Sequence, residues 1–393
     1  MEKRQRSFFG KIAVFLLALL AIIGLIAMVL SVINPYINPQ RIVWTTVFGL
    51  AFWPIFIFNV AVLLLLLLLW SKWSWVSILA LLVSIPGFTK SYSFGSKVEA
   101  DSAIRIMSYN VHMFSHVDGK TDKEQFAYQV INKVREQNPD ILCCQEFFSF
   151  KSGVSRPQCI EDFAQSIAFP YVYYNKKYNY GGNVIFSKYP LAKVADDSGF
   201  GKENTYGVMV SVNAGEKGVF HVANVHLLSY MITDDEIGVL MSATDHKDDL
   251  DTIGKSVMRK LSYAFQKRSD ELKRVLAGMP PVDGPVIICG DFNEPPLSYN
   301  YRQMQKAGFT DAFTEVGRGI KQTYAGKLPL LRIDYIWGND KVTPLNFKRE
   351  RFKGSDHYPV LLDFTVDKTA APKPALQPAG NSVYVQRIKT EQL

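Results

Sequence analysis

The first 90 residues are dominated by long apolar stretches, and polar residues alternate with apolar ones only beyond them. Residues 12–33 are uncharged and exceed the roughly 20 residues that a membrane-spanning helix needs. They also exceed the apolar region of a signal peptide, which has about 7–15 residues. Residues 43–70 form a second long stretch, which Pro54 would kink. The pattern therefore predicts a membrane anchor over residues 1–90 with two or three transmembrane helices.

A third apolar stretch decides on which side of the membrane the rest of the chain lies. Basic residues precede the first stretch, so the positive-inside rule puts that end in the cytoplasm. Residues 73–89 are uncharged and just long enough to cross, although they could instead lie in the interface. Their apolar character all round the helix favours crossing. We therefore expect a multi-pass cell-membrane protein whose soluble part lies on the non-cytoplasmic side.

Short β-branched runs separated by turns follow a polar linker at residues 91–102. The strands that this pattern predicts cover residues 103–111, 141–145, 219–228, 286–290, 331–337 and 360–366. Apolar residues at helical spacing predict helices at 122–137 and in the last part of 229–279. Alanine, proline, glutamine and lysine in residues 368–393 predict a disordered tail. One domain over residues 103–367 remains.

The charge of the chain belongs mainly to the predicted anchor. The protein has 393 residues and a formal net charge of +8, of which residues 1–97 carry +7. The remaining residues hold 36 basic and 35 acidic side chains, so the soluble part is nearly neutral and its charge does not favour nucleic-acid binding. The four cysteines lack the spacing of a disulfide framework or a zinc site.

Polar side chains that suit catalysis stand at or just after the ends of the predicted strands. They are Asn110, Glu146, Asn183, His226, Asp291, Asn293, Asp334, Asp356 and His357. Scattered polar residues would fall on helices and turns as often as on strand ends. Their position therefore indicates a shared site at one edge of a sheet.

Six short stretches that carry these residues resemble the endonuclease/exonuclease/phosphatase superfamily and occur in its order. They are residues 105–111 (RIMSYNV), 145–146 (QE), 224–226 (NVH), 290–293 (GDFN), 332–336 (RIDYI) and 355–360 (SDHYPV). The resemblance covers residues 103–366 and implies an α/β (α+β) fold. That fold is a four-layer sandwich of two packed, mostly antiparallel sheets flanked by helices, here preceded by N-terminal transmembrane helices.

The resemblance also implies metal-dependent cleavage of a phosphate ester by in-line attack of water. Glu146 would bind Mg²⁺ (or Mn²⁺), and Asn110 would hold or ligate the ion. A hard cation held by one or two carboxyl groups is also what protein magnesium sites commonly use. Asp291 would position and deprotonate the water, although His357 is an alternative general base.

The remaining roles that the resemblance implies concern phosphate binding and the orientation of side chains. Asn293 and His226 would bind the non-bridging phosphate oxygens, and Asn183 would contact phosphate as well. Asp356 would orient and charge-stabilise His357, the adjacent general base or phosphate ligand, and Asp334 would orient His226.

The absence of one sequence element argues against the inositol phosphatase branch of the superfamily. The chain has LRIDYI at residues 331–336, where an inositol phosphatase of the superfamily would carry Trp-Cys-Asp-Arg. The resemblance therefore implies a phosphodiesterase, nuclease-like or acting on a lipid head group as sphingomyelinases do. The other open alternative is a catalytically inactive binding module tethered to the membrane. The partners expected are a phosphodiester substrate and the lipid bilayer, and no protein partner can be inferred.

Overall fold

A computed structural model of the chain describes residues 8–367, apart from 101, 176–181, 195–205, 231, 233–235, 237, 239–246, 280–282 and 329, and also residues 383–387. Its contacts divide the chain into two compact units. The helical unit holds Met1–Ser91 together with Glu294–Gln303, and the second unit, called the sheet unit, holds Tyr92–Asn293 and Met304–Leu393.

The described residues of the N-terminal part of the helical unit form helices joined by short turns. Its helices are α1 (Phe8–Ile33), α2 (Thr46–Leu50), α3 (Phe52–Leu68), α4 (Ser74–Val83) and α5 (Ile85–Ser91). In the described part of the chain, one helix, Phe8–Tyr36, is long and apolar enough to cross a membrane by itself. The pair α4 and α5, bent by 50°, would form a second span if counted as one. The N-terminal helix fits a membrane anchor or a signal sequence.

The prediction of several full-length transmembrane helices is wrong in one respect. Residues 43–70 do not form one span but divide into α2 and the 17-residue α3, with a break at Ala51. Proline has no N–H and its ring clashes with the carbonyl four residues earlier, so Pro54 cannot follow Leu50 in a continuous α-helix. In the first turn of α3 the same proline is tolerated because no intrahelical donor is needed there.

Close packing between α1 and α3 depends on a glycine and an asparagine. The buried Asn59 side chain donates to Gly24 O at 3.1 Å and to Ile55 O at 2.9 Å. A Cβ added at Gly24 would lie 2.6 Å from Asn59 Oδ1, so a larger residue would push the helices apart. Small residues and interhelical hydrogen bonds are the usual means by which apolar helices associate.

The strands of the described residues belong to the sheet unit. In chain order they are β1 (Ser93–Phe94), β2 (Ile104–Asn110), β3 (Ile141–Gln145), β4 (Tyr171–Asn175), β5 (Val184–Ser187), β6 (Leu191–Lys193), β7 (Gly207–Asn213), β8 (Val219–His226), β9 (Val286–Asp291), β10 (Thr310–Asp311), β11 (Arg318–Gly319), β12 (Asp334–Gly338), β13 (Val342–Arg349), β14 (Val360–Val366) and β15 (Val383–Arg387). The further helices of the chain are α6 (Lys123–Gln137), α7 (Arg156–Ser166), α8 (Lys247–Gly278), α9 (Tyr299–Lys306) and α10 (Ala312–Val316).

Two mixed sheets form a sandwich. One sheet has the strand order β10-β12-β9-β8-β7-β6 and the other β13-β14-β2-β3-β5-β4-β15. Pairing is antiparallel except between β8 and β9 and between β2 and β3. Alternating β-branched residues of both sheets, such as Ile106, Val222 and Ile287, fill the core between them. The sequence-based prediction of the sandwich, with its mostly antiparallel sheets, is confirmed.

Helices cover the outer faces of the sheets. Asp122 caps α6 by accepting a hydrogen bond from Glu124 N at 2.9 Å, and Asn138 ends it in the left-handed conformation. Phe126 and Val130 of this helix pack with Phe163 of α7 on the seven-stranded sheet. On the other side, α8 buries apolar residues such as Phe265. The apolar spacing that predicts α6 therefore also marks the face that it buries.

Two predicted irregular segments contain short strands. In the linker, β1 pairs with β11, and in the tail, β15 pairs with β4 at the edge of the seven-stranded sheet. The alternating Val-Tyr-Val of β15 has high strand propensity, which the surrounding composition obscures. The prediction of a disordered tail is wrong for these five residues, and the rest of the tail lies outside the described residues.

Candidate active site

Three of the predicted site residues lie in one row across the six-stranded sheet. In the strand register, Asp291 at the end of β9 is opposite Asp334 of β12 and also opposite His226 of β8. Side chains directly opposite one another on neighbouring strands point to the same side of a sheet. The backbone pairing alone therefore brings two carboxyl groups and an imidazole together.

The loop after β9 holds the Asp291 carboxylate in place. Gly290 has φ 136°, and a Cβ there would overlap with Val225 O, so glycine allows the close approach of β8. Asn293 N donates to Asp291 Oδ1 at 2.8 Å. The Asn293 side-chain nitrogen donates to Asp291 Oδ2 at 3.1 Å and to Leu227 O at 2.9 Å. Because both amide protons are used, Asn293 orients Asp291 in this arrangement and does not offer a donor to phosphate.

His357 lies between the two carboxyl groups of the row. Its Nδ1 is 2.9 Å from Asp334 Oδ2, and its Nε2 is 3.5 Å from Asp291 Oδ2. All three residues are buried, with at most 4% of their surface exposed. Ser355 links this histidine to the other sheet, since its hydroxyl accepts from His357 N at 3.1 Å and donates to Asn110 O at 2.8 Å.

The aspartate that was expected to be the hydrogen-bond partner of His357 is the wrong one. Asp334, and not Asp356, is hydrogen-bonded to His357, whereas the resemblance implied that Asp334 orients His226. Asp356 Oδ1 instead accepts from Ser355 Oγ at 3.3 Å and lies 3.7 Å from His112 Nδ1. The reason is geometric: Asp334 is fixed by the register of β12 and β9, whereas adjacent loop residues such as Asp356 and His357 point in different directions.

Asn110 and Glu146 reach the same place from the seven-stranded sheet. Asn110 ends β2, and Glu146 follows β3 in the left-handed conformation at φ 54°. Asn110 Nδ2 lies 3.1 Å from Asp291 Oδ2 and 3.3 Å from Glu146 Oε1. His226 Nε2 lies 3.6 Å from Glu146 Oε1 and 3.7 Å from Asp291 Oδ2. Strand ends of both sheets therefore form one polar cluster.

Burial and mutual charge set the protonation of this cluster. The pKa of the Asp291 carboxyl is raised to about 6, mainly by burial and to a lesser degree by the nearby Asp334, although His357 and His226 act to lower it. Burial alone would lower the pKa of His357. The carboxylates of Asp334, Asp291 and Asp356 outweigh burial and hold the pKa of the imidazole well above its ordinary value. At neutral pH the site therefore contains an ionised Asp291 beside an imidazolium.

The donor set suits a hard divalent cation. The Glu146 side chain is 20% exposed and offers a carboxylate. Asn110 turns its amide nitrogen toward Glu146 Oε1, and its Oδ1 accepts from His112 N at 3.0 Å, so Asn110 holds the Glu146 carboxylate in this arrangement. A second group, Asp291, Asp334 and His357, also has ligand atoms within 4.8 Å of one another, but there Asp334 already accepts a hydrogen bond from His357. Glu146, whose carboxylate is accessible to water, therefore fits a partly hydrated Mg²⁺ better than the buried group does.

A cavity of about 260 Å³ opens onto the cluster. Glu146, Asp291 and Asp356 line its polar side, and its remaining wall includes Met113, Ile232, Leu328, Leu331 and Ile333. Among the described lining residues there is no lysine or arginine. The cavity thus combines a site for metal-assisted chemistry with an apolar wall.

Asn183 stands before β5, next to the Glu146 backbone. It is 5% exposed, and within the described residues neither its Oδ1 nor its Nδ2 has a hydrogen-bond partner. A Cβ at the preceding Gly182 would lie 2.5 Å from Phe147 N, so this turn packs directly on the residues that follow β3. A buried amide without partners costs free energy, which supports the prediction that Asn183 contacts a ligand such as phosphate.

Several supporting residues escaped sequence-based prediction. Gln145 Nε2 donates to Asn224 Oδ1 at 2.6 Å, and Asn224 Nδ2 donates to Cys144 O and Val184 O, so the two sheets are joined by buried amides. Thr323 Oγ1 accepts from Asp334 N at 3.0 Å. Gln145 and Asn224 lie within the stretches that resemble the superfamily. A polar residue on the inner face of a buried strand was the sequence signal that could have identified them. Thr323 had no comparable signal.

Solved structures with similar folds share little sequence with this chain. An endonuclease/exonuclease/phosphatase from Beutenbergia cavernae is 15% identical, over 67% of this chain and 72% of that chain, with a TM-score of 0.42. The human Nocturnin catalytic domain with bound sulfate is 16% identical, over 69% and 97%, with a TM-score of 0.43. D. rerio TDP2 in complex with a single-strand DNA product is 15% identical, over 68% and 100%, with a TM-score of 0.43.

Models of two families match separate parts of the sequence, whereas no curated protein matches it significantly. A domain of unknown function (DUF8431) matches residues 12–91. The Endonuclease/Exonuclease/phosphatase family matches residues 107–357, which is more than half of the chain and includes every residue of the candidate site. The chain therefore belongs to the endonuclease/exonuclease/phosphatase family.

Proposed function

We propose that the protein is a membrane-anchored, divalent-metal-dependent phosphodiesterase that cleaves by in-line attack of water on phosphorus. Members of its family are typically hydrolases of phosphoester bonds and generally depend on a divalent metal. The observation that carries the proposal is one cavity lined by Glu146, Asp291 and His357. Asn110 is hydrogen-bonded to Glu146 and Asp291, and Asp334 is hydrogen-bonded to His357. An ionised base and a hard-cation site within a few ångströms are what hydrolysis of a phosphodiester requires.

Glu146 and Asn110 would hold Mg²⁺ (or Mn²⁺). When bound, the cation would neutralise charge that develops on the phosphate and on the leaving oxygen. Asp291, ionised above a pKa of about 6, would accept the proton of the attacking water as the new P–O bond forms and the ester P–O bond breaks.

The other residues of the cluster would hold Asp291 and bind phosphate. His357, whose pKa is raised, carries its proton at neutral pH and is therefore a poor general base, which favours Asp291 in that role. Asp334 would keep the imidazolium in place. Asn293 would hold the Asp291 carboxylate, and His226 and Asn183 would bind the non-bridging oxygens.

Replacing Glu146 by glutamine tests the metal assignment. The loss of one negative charge from a site with few ligands is expected to weaken Mg²⁺ binding at least about tenfold, while the apolar cavity is unchanged. The Kd for Mg²⁺ from isothermal titration should rise, and the Mg²⁺ concentration needed for half-maximal diester hydrolysis should rise with it. Glu136→Gln, on the exposed face of α6, serves as the matched control. Unchanged Mg²⁺ affinity in Glu146→Gln would contradict the assignment.

A lipid head group is the second candidate substrate, and the cavity wall favours it. Binding a nucleic-acid backbone is driven mainly by lysine and arginine, and the described lining contains neither. Apolar side chains next to the metal site would instead accept the hydrocarbon portion of a lipid phosphodiester. Turnover of plasmid DNA, RNA, sphingomyelin vesicles and a soluble bis-ester phosphate by the full-length protein would separate the two. Preference for DNA or RNA over the vesicles would remove this candidate.

We also propose a multi-pass arrangement in which the sheet unit, as the proposed catalytic unit, lies on the non-cytoplasmic side. The support comes from contacts inside the helical unit at the end of α1 opposite the basic N-terminus. Asn34 Nδ2 donates to Leu297 O at 2.7 Å, and the Arg302 guanidinium lies 3.9 Å from the centre of the Tyr36 ring. The segment Glu294–Gln303 therefore packs at the end of α1 that the positive-inside rule places outside the cytoplasm.

A topology reporter tests that arrangement. Alkaline phosphatase, which is active only outside the cytoplasm, is fused after Ser96. We expect phosphatase activity comparable to that of a fusion after Tyr36, and no activity from a fusion after Lys72. The reason is that the chain would cross the membrane between Tyr36 and Lys72 and again between Lys72 and Ser96. A silent reporter after Ser96 would place the sheet unit in the cytoplasm.

A further inference from the structure

The segment Glu294–Gln303 belongs to the helical unit, although it is about 200 residues away from α5 in sequence. It begins at the residue that follows Asn293, which holds the Asp291 carboxylate by two hydrogen bonds. Residues 291–298 are all buried. The chain therefore runs directly from the proposed general base into the packed interior of the helical unit.

Leu297 is the centre of this packing. Its side chain, 2% exposed, lies in an apolar cluster with Met28 of α1, Phe52 of α3 and Ala80 of α4. Its carbonyl accepts the hydrogen bond from the buried Asn34 side chain at 2.7 Å. Leu297 thus belongs to a cluster with residues of the three longest helices of the unit, and its position depends on how they pack at this point.

The connection between Asn293 and Leu297 is short and stiff. It consists of Glu294, Pro295 and Pro296. The two prolines have fixed φ angles and restrict the residue that precedes them. Glu294 is 3% exposed and accepts a hydrogen bond from Asn300 at 3.1 Å, which fixes it within the same segment. A displacement of Leu297 would therefore reach Asn293 instead of being absorbed in the loop.

We propose that Leu297 and Asn34 are positioning residues for catalysis: the packed helices hold Leu297, and the stiff Glu294-Pro295-Pro296 connection carries this constraint to Asn293 and Asp291. The inference rests on the phosphodiesterase function proposed above. It makes the packing around Leu297, and not the helical unit as a whole, a part of the catalytic apparatus. Loss of the contacts that hold Leu297 would then lower the rate of the chemical step and leave substrate binding unchanged.

Two glycines of the helical unit give a matched pair of variants. In Gly49→Ala the new methyl group would overlap with Leu297 O and Asn34 Nδ2, whereas in Gly24→Ala it would meet Asn59 Oδ1 at 2.6 Å. Both variants add one methyl group to a tight helix contact, but only the first displaces Leu297. Asn34→Ala is a milder second variant, since it removes the hydrogen bond to Leu297 without adding atoms.

Hydrolysis of bis(p-nitrophenyl) phosphate by the full-length protein in detergent with Mg²⁺ measures the effect. Misplacing a reacting group by about 1 Å costs up to about 100-fold in rate, so we expect Gly49→Ala and Asn34→Ala to lower kcat about tenfold or more. KM should stay within about twofold, because the cavity itself is unchanged. Gly24→Ala should retain kcat within about twofold. Hydrogen exchange at the Phe292–Glu294 amides should accelerate in the first two variants alone.

Replacing both Pro295 and Pro296 by glycine removes the stiff connection. In that background Gly49→Ala should have little further effect on kcat, because the loop no longer transmits the displacement. Three results would overturn the inference while leaving the proposed function standing. The first is a loss of kcat in Gly24→Ala equal to that in Gly49→Ala, and the second is an unchanged kcat in both Gly49→Ala and Asn34→Ala. The third is an effect of Gly49→Ala that is as large in the diglycine background as in the wild type. Absence of turnover in the wild-type protein would remove the proposed function itself, and the inference with it.

Discussion

Replacing Asp291 by asparagine is expected to lower kcat/KM for a phosphodiester by about a thousandfold, the scale of a general base. Asparagine has the same shape and would keep the hydrogen bond from Asn293 N, but its amide cannot take a proton from water. Steady-state kinetics with a soluble diester and Mg²⁺ measures the loss. The matched control is Asp283→Asn, an exposed aspartate paired with Lys341. A loss of less than about tenfold in Asp291→Asn would contradict the assigned role.

The pKa of Asp291 also predicts a pH dependence. The carboxyl must be ionised to accept a proton, and burial raises its pKa to about 6. Below that pH kcat/KM should fall about tenfold per pH unit, and above it the rate should level off. This fall on the acid side of the pH profile is its acid limb. Raising the Mg²⁺ concentration should move the acid limb to lower pH, because a nearby cation favours the ionised carboxylate. The limb should be absent from the residual activity of Asp291→Asn.

Removing the charge of Asp334 is expected to have the second largest effect. Asp334→Asn leaves the side-chain volume nearly unchanged but takes away the carboxylate that accepts from His357 Nδ1 at 2.9 Å and raises the pKa of that imidazole. We expect kcat to fall about 100-fold, since His357 would lose the hydrogen bond that orients it and the carboxylate that does most to raise its pKa. Histidine NMR should show the pKa of His357 lowered in the variant.

Asp356→Asn distinguishes this arrangement from the one that the sequence implied. Asp356 contacts Ser355 and lies near His112, so its amide variant should keep activity within about tenfold of the wild type. If Asp356→Asn lost as much activity as Asp334→Asn, the pairing of Asp334 with His357 would not be the functional one. Comparing the two variants at equal Mg²⁺ concentration decides between them.

Residues at strand ends were predictable, but their pairing was not. The runs before Asn110, Glu146 and Asp291 predict strands because β-branched residues and punctuating glycine or proline are local signals. Which aspartate meets which histidine depends on register between β9 and β12, and register is a long-range property. Hence the cluster could be predicted from the sequence, whereas the Asp334–His357 pair could not.

The membrane part shows the same limit. Hydropathy predicts α1 well, because length and composition alone define such a helix. It does not predict the break before α3, which follows from the steric requirement of Pro54. Nor does it predict that Leu297 packs among these helices, since the Asn34–Leu297 hydrogen bond joins residues 263 positions apart. Apolar residues that follow a catalytic strand look like ordinary core residues in sequence.

Hydrolysis of bis(p-nitrophenyl) phosphate by the purified full-length protein tests the central claim most directly. The reaction is run with Mg²⁺, with EDTA, and with Asp291→Asn beside the wild type, while Mg²⁺ binding is measured on the same samples. The account predicts turnover that requires Mg²⁺ and is lost in the variant. A wild-type protein that binds Mg²⁺ and hydrolyses neither this diester nor the nucleic-acid and lipid substrates would contradict it, and would leave a membrane-tethered binding module.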